Sequence, residues 1–245
     1  MDGIAQAEDV RLAALLAAED RALALLDLIA ARGLVQPGRS ERAIEQDIRR
    51  IALEEFGVER DWHKRIVRAG PNTLAIAADN PPVVTVAPDD IVFVDLGPVF
   101  GTWEADVGQS FAVGGDPAKQ ALVSELPRQF AAIEQRLVAE PAITGAALYD
   151  FACTSAAAAG YRFGGRIAGH IVAEFPHARL PGERQAHHIS PANPLPLSDP
   201  DPLGQRRYWI IEVHLVTADG RFGGFYERLA RRAALAADRA GRRAG

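Results

Sequence analysis

Two hydrophobic rhythms divide this chain. Leucines and alanines recur at helical spacing over residues 8–31 and stop before Gly33. A turn at Pro37-Gly38-Arg39 follows, and Ser40 is placed to cap a second helix that runs to Phe56. The same rhythm predicts helices at about 118–138 and, after a cap at Thr144, on to Ala159. The leucine stripes of these helices are core faces. Short runs rich in β-branched and aromatic residues predict strands at 65–68, 91–96, 109–113 and 208–216. Helix, helix, then ribbon is the order that an α+β fold needs, with a curved antiparallel sheet covered by outer helices.

Acids interrupt these strands where acids are costly. Asp95 closes the run Ile91-Val92-Phe93-Val94, and Glu212 sits inside Trp209-Ile210-Ile211-Glu212-Val213-His214-Leu215. An unpaired carboxylate buried there costs several kcal/mol, or takes up a proton. An arginine partner is one remedy and a metal ion is another. The spacings favour the metal. Asp219-Gly220 is the preferred pair for a two-residue type I′ turn, and counting back from that turn along both strands sets Glu212 directly opposite Glu227. Like charges opposite each other destabilise a sheet unless a cation lies between them. Gly223-Gly224 could shift this register by forming a bulge. Asp95 and Asp106 flank a second connection, 97–105, which is expected to be longer and irregular because Phe100 is a poor residue for positive φ. A returning strand follows Asp106, so two ribbons each carry a pair of acids.

These residues resemble the pita-bread metallopeptidases, the superfamily of methionine aminopeptidases, Xaa-Pro aminopeptidases, prolidases and creatinase. The matching pieces are Val94-Asp95-Leu96-Gly97, Glu104-Ala105-Asp106-Val107-Gly108, Ala168-Gly169-His170 through His177, Ile211-Glu212-Val213 and Gly223-Gly224-Phe225-Tyr226-Glu227. Gly70-Pro71-Asn72 looks like a stretch found in Xaa-Pro-type members, which the chain is closest to in motif style. The resemblance implies a pita-bread fold with two pseudo-symmetric halves. It implies that Asp95 chelates one metal, that Asp106 and Glu227 bridge two, and that His170 and Glu212 complete the second. Glu212 would shuttle a proton from a metal-bridging hydroxide to the leaving amine, and His177 would bind the substrate or its oxyanion. Oxygen-rich ligation with one imidazole suits two divalent ions of Mn, Co, Fe or Zn.

Departures from the family pattern leave the substrate open. Ala173, Val213 and Phe225 replace a Gly, a Pro and an Arg that are usual there, and no His lies between Leu74 and Pro82 where a substrate-binding His is usual. His214 shares a strand face with Glu212 and could reach the site. His63, beside Trp62, is expected to be structural, His187 and His188 to be solvent-exposed, and Cys153 to be inert packing.

Length and charge narrow the classes. At 245 residues the chain is expected to form a single catalytic domain, 1–245, too short to hold the extra N-terminal domain of Xaa-Pro enzymes. A net charge of −5 argues against a nucleic-acid partner. No apolar run approaches a membrane span, and the first residues lack the marks of a signal peptide. One cysteine suits a reducing compartment, so a cytoplasmic location is expected. Residues 178–207 read as a long loop that could roof the site, and 228–245 as an Ala/Arg helix with a frayed tail whose arginines form a solvated face. The expected function is removal of the N-terminal residue from a short peptide, by an aminopeptidase or Xaa-Pro peptidase. A creatinase-like C–N hydrolase on a non-peptide amide and an inactive pita-bread binding module are the alternatives. A homodimer is an admissible partner.

Overall fold

The computed structural model describes residues 2–180 and 182–244. Two helices come first, α1 (Asp2–Ala31) and α2 (Glu41–Phe56), and then strands β1 (Ile66–Ala69) and β2 (Asp90–Leu96). A two-residue ribbon, β3 (Val99–Phe100) and β4 (Trp103–Glu104), leads into β5 (Val107–Val113). The order then repeats. Helices α3 (Pro117–Ala139) and α4 (Gly145–Ala158) precede β6 (Tyr161–Phe163), β7 (Gly169–Val172), β8 (Tyr208–Thr217) and β9 (Gly223–Leu229), and α5 (Arg231–Ala244) closes the chain. Local chemistry sets the helix ends. Ser40 and Thr144 cap α2 and α4 by accepting the N–H of Ala43 and Ala147, and Gly57 ends α2 at φ 67°.

Seven strands form one antiparallel sheet in the order β1-β2-β5-β9-β8-β6, with β7 also paired to β8. Alternation along the strands gives this sheet two faces. On β2, Val92, Val94 and Leu96 join the cluster formed with Ala22, Leu25, Ile29, Ile44 and Ile48 of α1 and α2. On β8, Ile211, Val213 and Leu215 pack with Leu122, Leu126 and Leu148 of α3 and α4. These contacts lie on one face, and Phe93, Asp95, Glu212 and His214 point to the other, where Leu12 and Leu15 of α1 pack only at its end, against Ile210 and Leu229.

The two halves of the sheet meet along a thin seam. The register between β5 and β9 is one residue pair, Gly108 opposite Glu227. Side chains extend it: Ser110 Oγ donates to the Phe225 carbonyl and accepts the Phe225 N–H (2.9 and 2.8 Å), while Arg228 donates to the Gly108 carbonyl and to Gln109 Oε1.

Two details differ from the sequence reading, and a third is filled in. The β8–β9 loop is Ala218–Arg221 rather than a two-residue turn, with the Gly220 N–H donating to the Thr217 carbonyl. A type I′ turn needs positive φ at Asp219, and among the described residues only glycines have it, Gly220 at 68°. This loop is centred on the same bond, so the expected register survives. The loop 178–207 is anchored along its described residues. It contains short 3-10 turns at His177–Arg179 and Arg184–His187, lies against β7 through Ile189, and tethers α4 through Asn193. Arg228 belongs to β9 and is buried, not part of a solvated tail, and Arg231 and Arg232 pair with Glu19 and Glu134. Among the described residues, no helix is long and apolar enough to cross a membrane.

Candidate metal centre

Four carboxylates and two imidazoles converge on this second face. Asp95 lies opposite Gly108 across the β2–β5 pair, and Asp106 stands two residues before that glycine. Gly108 in turn pairs with Glu227, which lies directly opposite Glu212. Gly108 is the junction of both acid pairs, and a side chain there would not fit. A Cβ would overlap the Phe225 ring and come within 3.1 Å of the Glu227 Cβ. His170 enters from β7, opposite Ile210 of β8.

The ligand atoms are close enough to share ions. His170 Nε2 lies 2.9 Å from Asp106 Oδ2, 3.7 Å from Glu227 Oε1 and 3.8 Å from Glu212 Oε1. His63 Nε2 lies 3.3 Å from Asp106 Oδ1 and 3.4 Å from Asp95 Oδ1. Among the described residues, two groups of donor atoms gather within 4.8 Å: His63, Asp95 and Asp106, and then Asp106, His170 and Glu227. Asp106 belongs to both. Glu212 falls outside these groups, and its side chain is the most exposed of the four acids, at 17%.

The electrostatics are those of a candidate cation site. Burial pushes the Asp95 and Glu212 carboxyls up to about 7, opposed by neighbouring histidines and reinforced by the other acids. Burial, with Asp106 and Glu212 nearby, raises Glu227 well above its usual range. Burial also works against the Asp106 charge, but His63 and hydrogen bonds from His170 and His63 outweigh it and hold that carboxyl low. The imidazoles respond in kind. Burial pulls both down, yet the carboxylates carry His63 up to about 10 and His170 well above its ordinary value. Among the described residues, buried Asp95 Oδ1 has no hydrogen-bond donor. A buried carboxylate oxygen without a donor, in a set of oxygens and imidazoles, fits a hard or borderline divalent ion.

Other histidines fall into different places. His177 stacks parallel to His170, ring centroids 5.7 Å apart, and its Nδ1 and backbone N–H bond the two oxygens of buried Glu104 (2.5 and 3.0 Å). His214 is buried beside Phe93 and Phe225, with its Nε2 bonded to the Thr73 carbonyl at 2.8 Å, outside both groups of donor atoms. It anchors the Gly70–Leu74 turn to β8. Asn72 is also structurally engaged, donating to Glu41 and to the Pro82 carbonyl. The expectation of exposure fails for His187, which is buried, and for His188, which is half-buried and bridged to His170. Burial and the charge of His170 lower the His188 pKa. His63 is not a bystander either. It sits among the acids, and no periodicity in the irregular segment before β1 announces it. Cys153 is half-buried against the α3–α4 core.

Residues 13–228 match the family model of metallopeptidase family M24. The chain belongs to that family. No curated protein sequence matches it. Solved structures share the M24 chain's fold. A prolidase from Thermococcus sibiricus is 22% identical over 90% of this chain and 57% of its own, with a TM-score of 0.62. An X-Pro aminopeptidase from Thermotoga maritima is 18% identical over 91% of this chain and 60% of its own, at 0.63. A methionine aminopeptidase from Rickettsia prowazekii is 13% identical over 91% of this chain and 92% of its own, at 0.65. This M24 chain spans less than two thirds of the prolidase and the X-Pro aminopeptidase. The common fold is the pita-bread fold, with the mixed helices and antiparallel sheet described above.

Proposed function

We propose that this chain is a catalytic domain that hydrolyses the N-terminal peptide bond of short peptides with two divalent ions, in the manner of an aminopeptidase or Xaa-Pro peptidase. The observation that carries this reading is the convergence of Asp95, Asp106, His170, Glu212 and Glu227 from both halves of the sheet. Asp95, Asp106 and Glu227 would hold one ion, and Asp106, Glu227, His170 and Glu212 the other. When bound, such a pair lowers the pKa of water and polarises a scissile carbonyl. Glu212, the acid with most access to solvent, is positioned to take a proton from the attacking water and pass it to the leaving amine. His177 is set for a different task. With Nδ1 held by Glu104, its Nε2 is the free edge of the ring, and an Nε2–H there would donate to the substrate carbonyl oxygen as charge grows. Trp62, packed against the rings of His170 and His177 at 5.1 and 4.7 Å, shields these groups from water.

Protein reconstituted separately with Mn, Co and Zn, and offered Met-Ala-Ser, Ala-Pro-Gly, a Xaa-Pro dipeptide and creatine, tests this. Metal-dependent release of a free N-terminal amino acid supports it and selects the specificity. Two bound metals with silence on every peptide would sink the peptidase reading. Turnover of creatine would then favour the non-peptide alternative, in keeping with the absence of a His between Leu74 and Pro82.

A further inference from the structure

His63 is held as a ligand is held. The segment that carries it is fixed by two backbone bonds to the β2–β3 connection, Trp62 N–H to the Gly97 carbonyl at 2.8 Å and Val99 N–H to the Arg60 carbonyl at 3.1 Å. Gly97 leaves room for it, because a Cβ there would overlap the His63 ring and the Trp62 indole nitrogen. The imidazole then makes one hydrogen bond outward, from Nδ1–H to the carbonyl of Lys64 at 2.7 Å, and turns Nε2 toward Asp95 and Asp106.

His170 does the same. Its Nδ1–H bonds the carbonyl of the following residue, Ile171, at 2.7 Å, and its Nε2 faces Asp106. Both rings are braced edge-on by one indole, Trp62, at 4.5 Å for His63 and 5.1 Å for His170. A backbone acceptor on the far nitrogen is the usual device for fixing the tautomer of a metal-binding histidine. The distances agree. Donor atoms about 2.1 Å from one ion stand roughly 3.0–3.4 Å apart, depending on whether the ion is octahedral or tetrahedral. His63 Nε2 stands 3.3 and 3.4 Å from its two carboxylate oxygens. One of those oxygens, Asp95 Oδ1, has no hydrogen-bond donor among the described residues.

We infer that His63 Nε2 is a direct metal ligand, completing with Asp95 and Asp106 the ion site opposite His170, so that each ion of the pair carries one imidazole. The inference rests on the two-ion reading above and adds a ligand that the motif pattern in the sequence does not contain. The competing role for His63 is that of a hydrogen-bond donor to the two carboxylates, without contact to the ion.

X-ray absorption of the Co(II)-loaded protein, with calorimetric titration of Co(II) and Mn(II), separates the two roles. A direct ligand predicts an average of one imidazole per cobalt in the wild type, falling to half in His63→Gln when excess cobalt keeps both sites filled. It also predicts that His63→Gln weakens one site by more than the roughly 10- to 100-fold that loss of an outer partner costs. His63→Glu supplies an oxygen ligand but no donor, so it should retain more affinity than His63→Gln, which supplies a donor but a poor ligand. Half an imidazole per cobalt in the wild type, unchanged by His63→Gln, would overturn the inference, as would affinity better kept by Gln than by Glu. If the affinities and the spectra disagree, the wild-type imidazole count decides, because it does not depend on any variant folding. Failure of the two-ion reading would look different: a single cobalt bound by the wild type. Whether His63→Gln then removes an imidazole from that cobalt still judges His63.

Discussion

At the residue scale, the site gathers like charges that a cation would offset. Asp106 is common to both groups of donor atoms and is the most buried of the four carboxylates by side chain, at 2%. Asp106→Asn should therefore abolish uptake of both ions, whereas loss of a ligand to one ion alone should leave one. Metal content after dialysis, by atomic absorption, distinguishes these results. Among the described residues His177 pairs with Glu104, which lies outside both groups of donor atoms. His177→Ala should keep two ions while lowering kcat/KM about 100-fold or more, as expected for removal of an oxyanion-type donor. Loss of metal in that variant would place His177, not His170, among the ligands. The carboxylates were legible because an acid inside an apolar strand breaks a pattern. Glu104, buried and bonded to His177, was not, because a two-residue ribbon has no pattern to break. Nor was His63, whose neighbours before β1 form no regular element.

At the element scale, local chemistry was easier to read than tertiary contact. The caps at Ser40 and Thr144 and the Glu212–Glu227 register depend on a few neighbouring residues, and the structure has them where the sequence put them. The strand β7 spans four residues, too few for periodicity, and Arg228 reads as surface although its guanidinium closes the β5–β9 seam. The joint between α2 and the Gly70–Leu74 turn is similarly tertiary. Buried Glu41, the first residue of α2, accepts the N–H groups of Ala69 and Val84 and the side-chain amide of Asn72. Glu41→Ala leaves those donors unpaired in the interior, at a cost of about 2–4 kcal/mol. Urea denaturation should report that loss, with cobalt affinity little changed because the ligands lie on other elements. An unaltered midpoint would mean that water replaces the carboxylate.

At the scale of the whole molecule, α1 is tied to the end of the sheet through an acid with a pH signature. Glu19 is buried, accepts the Leu229 N–H at 2.7 Å and pairs with Arg231 at 2.6 Å. Burial nevertheless dominates and raises its carboxyl from 4.5 to about 7. Its folded-state pKa is above its unfolded value, so the folded state holds the proton more tightly. Stability from this group is therefore greatest below 4.5 and is lost as pH rises toward 7, by up to about 3 kcal/mol at roughly 1.4 kcal/mol per unit. Glu19→Gln should match the wild type at pH 5 and exceed it at pH 7.5 in metal-free denaturation. Parallel curves would show that Arg231 keeps the acid ionised throughout.

The seam between the halves has a mechanical meaning as well. Asp95 and Asp106 belong to one side of it, and His170, Glu212 and Glu227 to the other, while the backbone register across it is a single pair. Bound ions would thus work as rivets across a fault line, carrying load that elsewhere in the sheet is spread over a ladder. With chelator present, amide hydrogen exchange should accelerate first along β5 and β9, before α3 or α4 loosens. A uniform rise would show that the rivets bear no special load.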